Sequence, residues 1–301
     1  MALIKNVCIF VLSTMPNYYY LYIFLCITLT GFAQKQNEFD KYGPFGSQVY
    51  TDLKLALDVE KQVYKMDLSY QKLEPKLYAK LVKLKDLQAL KLSGNEVTTY
   101  PPNFSDLYNL IYFASYNNEF KTFPEELKKL SNLNYIEFFG SKIDSVPSEI
   151  AYLSRLKTLK ISSTQDTLHL PNTLRYLKNL KELSIENCVL DSFPKEIFKI
   201  PNLEFLNLTN TNTFYISKHF ERLKNLEVLV LDANQLKKLP FEIYKAEKLR
   251  ILSIKNNPIT KLPDTISQLE NLVILDVRGN NFSKEYIEEL KALLPGCEIR
   301  H

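Results

Sequence analysis

A repeat of about 23 residues is the feature that most constrains how this chain can fold. Residues 226–248 read LEVLVLDANQLKKLPFEIYKAEK, and the same pattern of apolar residues, asparagine and proline begins again at Leu249. Because one unit of this size cannot bury its own apolar face, the pattern predicts stacked copies that share a continuous core. We count ten copies, spaced by 23 or 24 residues, which begin at Val63, Leu87, Leu110, Leu133, Leu156, Leu180, Leu203, Leu226, Leu249 and Leu272.

Each copy has two halves of different periodicity. Its fourth and sixth residues are apolar and alternate with other residues, which predicts a short strand. The later I-x-x-L spacing places two apolar residues on one side of a helical turn. A proline at position fifteen suits the first turn of such a helix, because proline has no backbone N–H, and an N–H at that position would have no partner within the helix. This position is proline at Pro101, Pro124, Pro147, Pro194, Pro240 and Pro263.

Position nine of the repeat is asparagine in five copies. An asparagine there can satisfy backbone groups of the turn that leaves the strand, in its own repeat and in the neighbouring one. The five are Asn95, Asn118, Asn234, Asn257 and Asn280, whereas the other copies have Gln71, Ser141, Thr164, Cys188 and Thr211. We therefore expect looser turns, or turns satisfied by water, in repeats four to seven.

This pattern resembles the leucine-rich repeat family, and in particular its short repeats with a leucine-Pro step, known from bacterial secreted proteins and intracellular signalling scaffolds. The resemblance covers residues 63 to about 293. It implies an α/β solenoid, a right-handed horseshoe with a parallel inner sheet of about ten short strands. The outer face would be helical or 3₁₀, and a helical cap would close each end.

The ends of the repeat array are predicted from departures from the period. Residues 34–62 form an N-terminal cap with a short helix that Thr51 can cap, and its apolar residues include Leu53 and Leu57. The ten repeats occupy 63–293 and end in a longer helix from Ser283, its cap, to Leu294. Residues 294–301 are the C-terminal cap, in which 297–299 are expected to form a final half-strand.

The first 33 residues have the composition of a secretory signal peptide. Lys5 is the one charged residue, 21–32 is a short apolar run, and small residues precede a cut after Ala33. We expect export to the periplasm, cell surface or medium after cleavage near Ala33, with Met15 as an alternative start. A membrane anchor is the alternative, but no apolar run reaches the ~20 residues of a spanning helix, so the mature chain should contain no stable span.

The chain offers no pattern for catalysis, a metal or a cofactor. His169, His219 and His301 stand apart, no C-x-x-C occurs among the mature cysteines, and there is no glycine-rich phosphate loop. A net charge of +4 with interspersed signs is too weak to indicate a nucleic acid partner. Cys188 and Cys297 lie about five strand spacings apart, roughly 24 Å, which predicts no bridge between them. We expect a monomer that is not an enzyme.

Strand positions three, five and seven point away from the core, onto the concave face. Repeats three and four place four aromatic residues there around one acid, and repeats seven to ten add an apolar stripe that ends at Ile274. Aromatic clusters on an open surface are favoured binding anchors. For the stripe, packing along the sheet edge is an alternative explanation. The candidate protein-binding residues are Tyr112, Tyr116, Tyr135, Glu137, Phe139, Phe205, Val228 and Ile251.

These observations favour a non-catalytic scaffold, secreted or associated with the cell envelope, that binds a protein or peptide ligand on its concave face. The alternative is an intracellular regulatory scaffold of the phosphatase or GTPase signalling type, which requires that residues 1–33 are not a signal peptide. A catalytic effector would need a second domain, for which 63–293 leave little room.

Overall fold

The computed structural model describes residues 38–59, 62–163, 167–190 and 194–301. The chain divides into two compact units, residues 1–41 and 42–301. The described part of the first unit contains a 3₁₀ helix, Glu38–Lys41. The predicted signal peptide, 1–33, and the position-nine residue Thr164 lie outside the described residues.

The second unit is built on parallel strands that follow one another in chain order. Among the described residues, twelve of them form one sheet, and β7 pairs with β9 in a separate ribbon. The fourteen strands are β1 (Val49–Tyr50), β2 (Lys65–Asp67), β3 (Ala89–Lys91), β4 (Tyr112–Tyr116), β5 (Tyr135–Ser141), β6 (Thr158–Ser163), β7 (Thr167–Leu168), β8 (Glu182–Glu186), β9 (Val189–Leu190), β10 (Phe205–Asn207), β11 (Val228–Val230), β12 (Ile251–Ser253), β13 (Ile274–Asp276) and β14 (Glu298–Arg300).

The predicted solenoid is confirmed by the register of this sheet. Ten strands begin at the third position of the ten repeats, and equivalent residues face one another, as in the pairs Leu206–Leu229 and Leu229–Leu252. Leu229 and Leu252 are buried, with 1% and 0% of their surface exposed. Strands β1 and β14 extend the sheet beyond the ten that the period predicts, one at each end.

Single turns of 3₁₀ helix cover the other side of the core. In several repeats proline is the residue before the helix rather than its first residue, because its ψ is extended, as at Pro147 (153°) and Pro263 (143°). The proline carbonyl then accepts the first helical bond, for example from the Ile266 N–H at 2.9 Å. The helices are Leu81–Lys83, Phe104–Asp106, Leu127–Leu130, Ser148–Tyr152, Asn172–Tyr176, Lys195–Lys199, His219–Arg222, Phe241–Lys245 and Asp264–Gln268.

The role predicted for the position-nine asparagines is confirmed in all five repeats. At Asn257, the side-chain oxygen accepts the Leu236 N–H at 3.0 Å, while the amide donates to the carbonyls of Leu231 (3.0 Å) and Ile254 (2.9 Å). Leu231 and Leu236 belong to the preceding repeat, so each asparagine joins two repeats. The other four make equivalent bonds at Asn95, Asn118, Asn234 and Asn280.

The expectation of looser turns where this asparagine is missing is wrong in repeats four and six. There the strand itself continues: β5 has seven residues and keeps pairing through Phe139–Ser162 and Ser141–Ser163. In repeat six the Cys188 N–H donates to the Asn210 carbonyl at 3.1 Å. Strand pairing in repeat four, and a turn hydrogen bond to the next repeat in repeat six, thus replace the bonds of the asparagine.

A second row of asparagines was missed, although it is visible in the sequence as the residue before the first leucine of a repeat. Each donates its amide to a backbone carbonyl about 24 residues earlier in the chain, and the bonds lie at the exposed edge of the solenoid. The donors and their distances are Asn109 (2.9 Å), Asn132 (2.8 Å), Asn179 (2.6 Å), Asn202 (2.8 Å), Asn225 (3.3 Å) and Asn271 (2.8 Å).

A helix lies in each predicted cap region, and the residue that caps the first of them differs from the prediction. Helix α1 (Leu53–Asp58) is capped by Asp52, not Thr51, because the Asp52 carboxylate is placed to accept the Leu55 N–H at 2.9 Å. A short helix, α2 (Pro75–Tyr78), lies in the first repeat. Helix α3 (Lys284–Leu293) has the predicted cap, Ser283, which accepts the Tyr286 N–H at 3.1 Å. Over the described ranges, no helix has the length and apolar character needed to cross a bilayer.

Replacing a buried position-nine asparagine should destabilise the protein far more than replacing an asparagine of the second row. Asn257→Ala leaves one N–H and two carbonyls without a partner, so we expect a loss of about 3 kcal/mol in the free energy of unfolding. Asn271→Ala removes one exposed bond and should cost less than about 1 kcal/mol. Urea unfolding followed by circular dichroism measures both, and equal losses would contradict a special role for the buried row.

Candidate protein-binding face

Strand positions three, five and seven form the open face of the sheet, opposite the leucine core. The structure brings five of the predicted binding residues together on its adjacent strands β4 and β5. Tyr112 faces Tyr135, and Tyr116 faces Phe139, across the two strands. Glu137 lies between them, beside Ala114. We call these five residues, Tyr112, Tyr116, Tyr135, Glu137 and Phe139, the aromatic cluster.

One carboxylate organises the aromatic cluster. Glu137 Oε2 accepts hydrogen bonds from the hydroxyls of Tyr116 (2.8 Å) and Tyr135. The rings of Tyr112 and Tyr135 stack with their centroids 4.6 Å apart, while those of Tyr116 and Phe139 meet edge to face at 6.2 Å. Offset-stacked and edge-to-face contacts are the favoured arrangements of aromatic pairs, so the cluster is well ordered by its own contacts.

The cluster is less exposed than the sequence suggests. Tyr112 and Tyr135 are buried, with 3% and 5% of their surface exposed, whereas Tyr116, Glu137 and Phe139 are half-buried. Part of the reason is Tyr42, whose ring lies 5.4 Å from that of Tyr112. Burial, with the neighbouring Glu137 charge, raises the pKa of Tyr135 far above its usual value, so this phenol remains a hydrogen-bond donor.

Charged residues continue the open face on β6 and β8. Lys160 Nζ lies 2.7 Å from Glu182 Oε1 and 5.7 Å from the centroid of the Tyr135 ring. Glu186 accepts a hydrogen bond from the Ser184 hydroxyl at 2.6 Å. Burial raises the pKa of Glu186, the Ser184 bond and Lys160 oppose this rise, and the charges of Glu137 and Glu182 add to it. The ammonium group of Lys160 therefore lies in the same part of the face as three carboxylates, those of Glu137, Glu182 and Glu186.

The apolar stripe forms a second region of the open face. Phe205, Val228 and Ile251 face one another in register on β10, β11 and β12. Phe205 and Val228 are half-buried, but Ile251 is only 5% exposed. Strands β6 and β8 separate the stripe from the aromatic cluster, so the eight predicted residues form two regions rather than one.

A buried ion pair lies next to the stripe and was not predicted as a pair. Lys255 Nζ lies 3.0 Å from Asp232 Oδ2, and Asp232 Oδ1 accepts from the Ser253 hydroxyl at 2.6 Å and the Lys255 N–H at 2.9 Å. Burial raises the pKa of Asp232, and Lys255 opposes that rise. The spacing of 23 residues between the partners is the signal that could have revealed the pair, because it makes them neighbours on adjacent strands.

Cys188 and Cys297 are free thiols, and Cys188 is buried. Burial raises the pKa of Cys188 to about 12 and that of Cys297 to about 11. Within the ranges that the structure describes, no three His, Cys, Asp or Glu side chains are grouped so that they could hold a metal ion.

The stacked parallel strands, the buried asparagine row and the 3₁₀ outer side define a repeat solenoid with an open sheet face. Two family profiles match this chain: "Leucine-rich repeat region" over residues 119–235 and "Leucine rich repeat" over residues 224–282. Together they cover more than half of its 301 residues. The chain belongs to the leucine-rich repeat family.

Three solved structures with the same fold are each less than 25% identical to this chain in sequence. The leucine-rich repeat domain of the type III effector XopL is 24% identical with a TM-score of 0.61, over 70% of this chain and 75% of that one. The Arabidopsis receptor kinase HAESA, in complex with the peptide hormone IDA and the co-receptor SERK1, is 23% identical with a TM-score of 0.56, over 75% of this chain and 39% of that one. Internalin C2 of Listeria monocytogenes is 24% identical with a TM-score of 0.54, over 67% and 83%. A comparison with curated proteins found no match.

The two thiols should differ in reactivity in the folded protein. Only the thiolate reacts with iodoacetamide, so a pKa of about 12 and burial should make Cys188 at least about 100-fold slower than a free cysteine at pH 8. Cys297 is half-buried and should react faster than Cys188. Mass spectrometry of timed samples measures both rates, and guanidinium chloride should abolish the difference. Rapid labelling of Cys188 in the native protein would contradict its buried position.

Proposed function

We propose that this protein is a non-catalytic interaction scaffold that binds a protein or peptide ligand on the open face of its sheet. The observation that carries the proposal is the half-buried pair Tyr116 and Phe139, set edge to face beside the Glu137 carboxylate. Aromatic side chains with a polar neighbour are common anchors of protein interfaces. HAESA, which shares the fold, is in complex with a peptide hormone.

The dimensions of the open face suit an extended ligand. Adjacent strands lie ~4.8 Å apart, so β4 and β11 are separated by roughly 24 Å across five spacings of the sheet. An extended chain advances ~3.3 Å per residue, so about seven residues span the five spacings from β4 to β11. One peptide segment could therefore contact both the aromatic cluster and the apolar stripe.

We further propose that the protein is exported and that residues 1–33 are removed. The support is the composition of that segment, with Lys5 before the apolar run 21–32 and small residues at the cut after Ala33. An intracellular scaffold is the competing function, and it requires the segment to be retained.

Loss of both half-buried rings should weaken binding without unfolding the protein. Peptides selected from a displayed library of random 12-residue sequences provide ligands for the test. Tyr116→Ser/Phe139→Ser should weaken the binding of the selected peptides by about 2 kcal/mol or more, roughly 30-fold in Kd, measured by calorimetry. The matched control is Tyr152→Ser/Tyr176→Ser, which removes two exposed rings from the 3₁₀ side. Failure to select any peptide, or equal affinities for both double variants, would refute the proposed face.

The export proposal is tested by sequencing the N-terminus of the protein purified from its native host after expression from Met1. Cleavage by signal peptidase should give a chain that begins at Gln34 and is recovered outside the cytoplasm. A chain that keeps residues 1–33 and is recovered inside the cell would favour the intracellular scaffold instead.

A further inference from the structure

Repeat seven presents two aromatic rings to solvent in the turn that follows its strand. Phe214 and Tyr215 occupy the twelfth and thirteenth positions of this repeat, and 74% and 54% of their surfaces are exposed. In repeats two, three, four, eight and nine both positions hold polar residues, which are Thr98, Thr99, Lys121, Thr122, Asp144, Ser145, Lys237, Lys238, Thr260 and Lys261. The repeat therefore does not require aromatic residues here, and adjacent exposed rings of this kind mark interaction surfaces.

The turn that carries the two rings is held in place on both sides. The Thr213 N–H donates to the side-chain oxygen of Asn234 at 2.9 Å, and the Thr213 hydroxyl lies 2.9 Å from that of Thr211. On the other side, Ile216 is buried in the leucine core. In the described part of the chain, neither ring makes an aromatic contact. The two rings thus project from a fixed turn and do not pack against the core.

Exposed lysines adjoin the two rings. Lys237 and Lys238 occupy the twelfth and thirteenth positions of repeat eight, and the Gln235 N–H donates to the Thr213 carbonyl at 2.9 Å, so the two turns lie side by side. Both lysines are exposed, as is Lys218, three residues after the rings. Across the ranges that the structure describes, none of these three lysines forms an ion pair. Their positive charges are therefore available to a partner.

The neighbouring repeats change this charge little. In repeat nine, Lys261 pairs with Asp264 at 3.3 Å, so the two charges offset each other. Asp191, at the twelfth position of repeat six, lies outside the described residues. We call Phe214, Tyr215, Lys218, Lys237 and Lys238 the aromatic-basic edge.

A bilayer with anionic headgroups matches both features of the aromatic-basic edge. Aromatic side chains partition to the boundary between headgroups and acyl chains, and lysines beside them face the anionic phosphates. Rings that stand out from a turn meet a flat surface more readily than they enclose a side chain of a peptide. Apolar contact and positive charge together also attach a protein more firmly than either does alone.

We propose that the aromatic-basic edge attaches this protein reversibly to an anionic membrane surface. Phe214 and Tyr215 enter the headgroup region, and the three lysines contact the phosphates. The edge lies in the turns that follow the strands, so the open face of the sheet stays free for a ligand. This inference goes beyond the proposed function and does not depend on it.

The first test reports on the rings directly. The chain contains no tryptophan, so Phe214→Trp introduces a single fluorescent reporter. On vesicles of equal parts phosphatidylcholine and phosphatidylglycerol, the emission of the full chain should shift to shorter wavelength and be quenched by lipids with brominated acyl chains. Phe241→Trp is the matched control, because Phe241 is an exposed phenylalanine on the 3₁₀ side. Its emission should stay unchanged.

The comparison of the two tryptophan variants isolates the aromatic-basic edge. The apolar run 21–32 is present in both, so attachment through that run alone cannot make them differ. No shift at Phe214→Trp, or shifts of equal size at both positions, would overturn the proposal.

The second test removes charge from the Phe214→Trp protein. Lys237→Gln/Lys238→Gln should weaken vesicle binding about tenfold or more at low salt, because each basic residue near an anionic surface strengthens attachment roughly fivefold. Lys80→Gln/Lys83→Gln is the matched control, since it makes the same change in net charge at exposed positions of the first repeat. Thermal unfolding checks that both variants fold. Equal losses of binding would reduce the effect to net charge and refute the edge.

Two further probes separate a membrane from other partners. Vesicles of phosphatidylcholine alone should bind about tenfold more weakly or less, and equal binding would refute the role of the lysines. A response to soluble poly-glutamate with none to anionic vesicles would assign these residues to an acidic protein partner and overturn the membrane proposal. The ligand-binding face is tested separately, through Tyr116 and Phe139, so the two proposals stand or fail independently.

Discussion

Every repeat must provide hydrogen-bond partners for the backbone N–H and carbonyl groups of the turn that follows its strand. The rest of the structure depends on which groups provide them. A buried N–H or carbonyl without a partner is expensive, and these turns lie against the leucine core. Asn257 meets the requirement with three hydrogen bonds that span two repeats. The same bonds hold adjacent strands in register, so one side chain serves both the turn and the stacking of the solenoid.

Repeat four, which satisfies this requirement differently, carries three of the five residues of the aromatic cluster, Tyr135, Glu137 and Phe139. With Ser141 in place of asparagine, β5 continues through position seven and holds Phe139 in register with Ser162. Strand β8 likewise extends to Glu186, beside Cys188. In most other repeats the strand ends at position five. The longer strands fix the direction of position-seven side chains, which a turn would hold less firmly.

The open face is ordered by pairs of side chains on neighbouring strands. Lys160 with Glu182 and Lys255 with Asp232 are ion pairs across one strand spacing, each joining residues 22 or 23 apart in the chain. Buried ion pairs contribute little net stability, since desolvation offsets much of the attraction. Their effect here is on the surface charge, because each lysine is neutralised by the carboxylate of its partner.

The sequence by itself determined the solenoid, because a fixed period of leucines sets which residues face the core and which asparagines meet the turns. It also determined which residues reach the open face, since strand alternation is a local property. Only the tertiary structure decided how far the side chains of the open face are buried. Tyr112 and Tyr135 are buried through contacts with each other and with Tyr42, which is 70 residues from Tyr112 in the chain. Tyr112 and Tyr135 are one period apart, but the contact with Tyr42 leaves no periodic trace, because Tyr42 lies outside the repeats and is brought to them by folding.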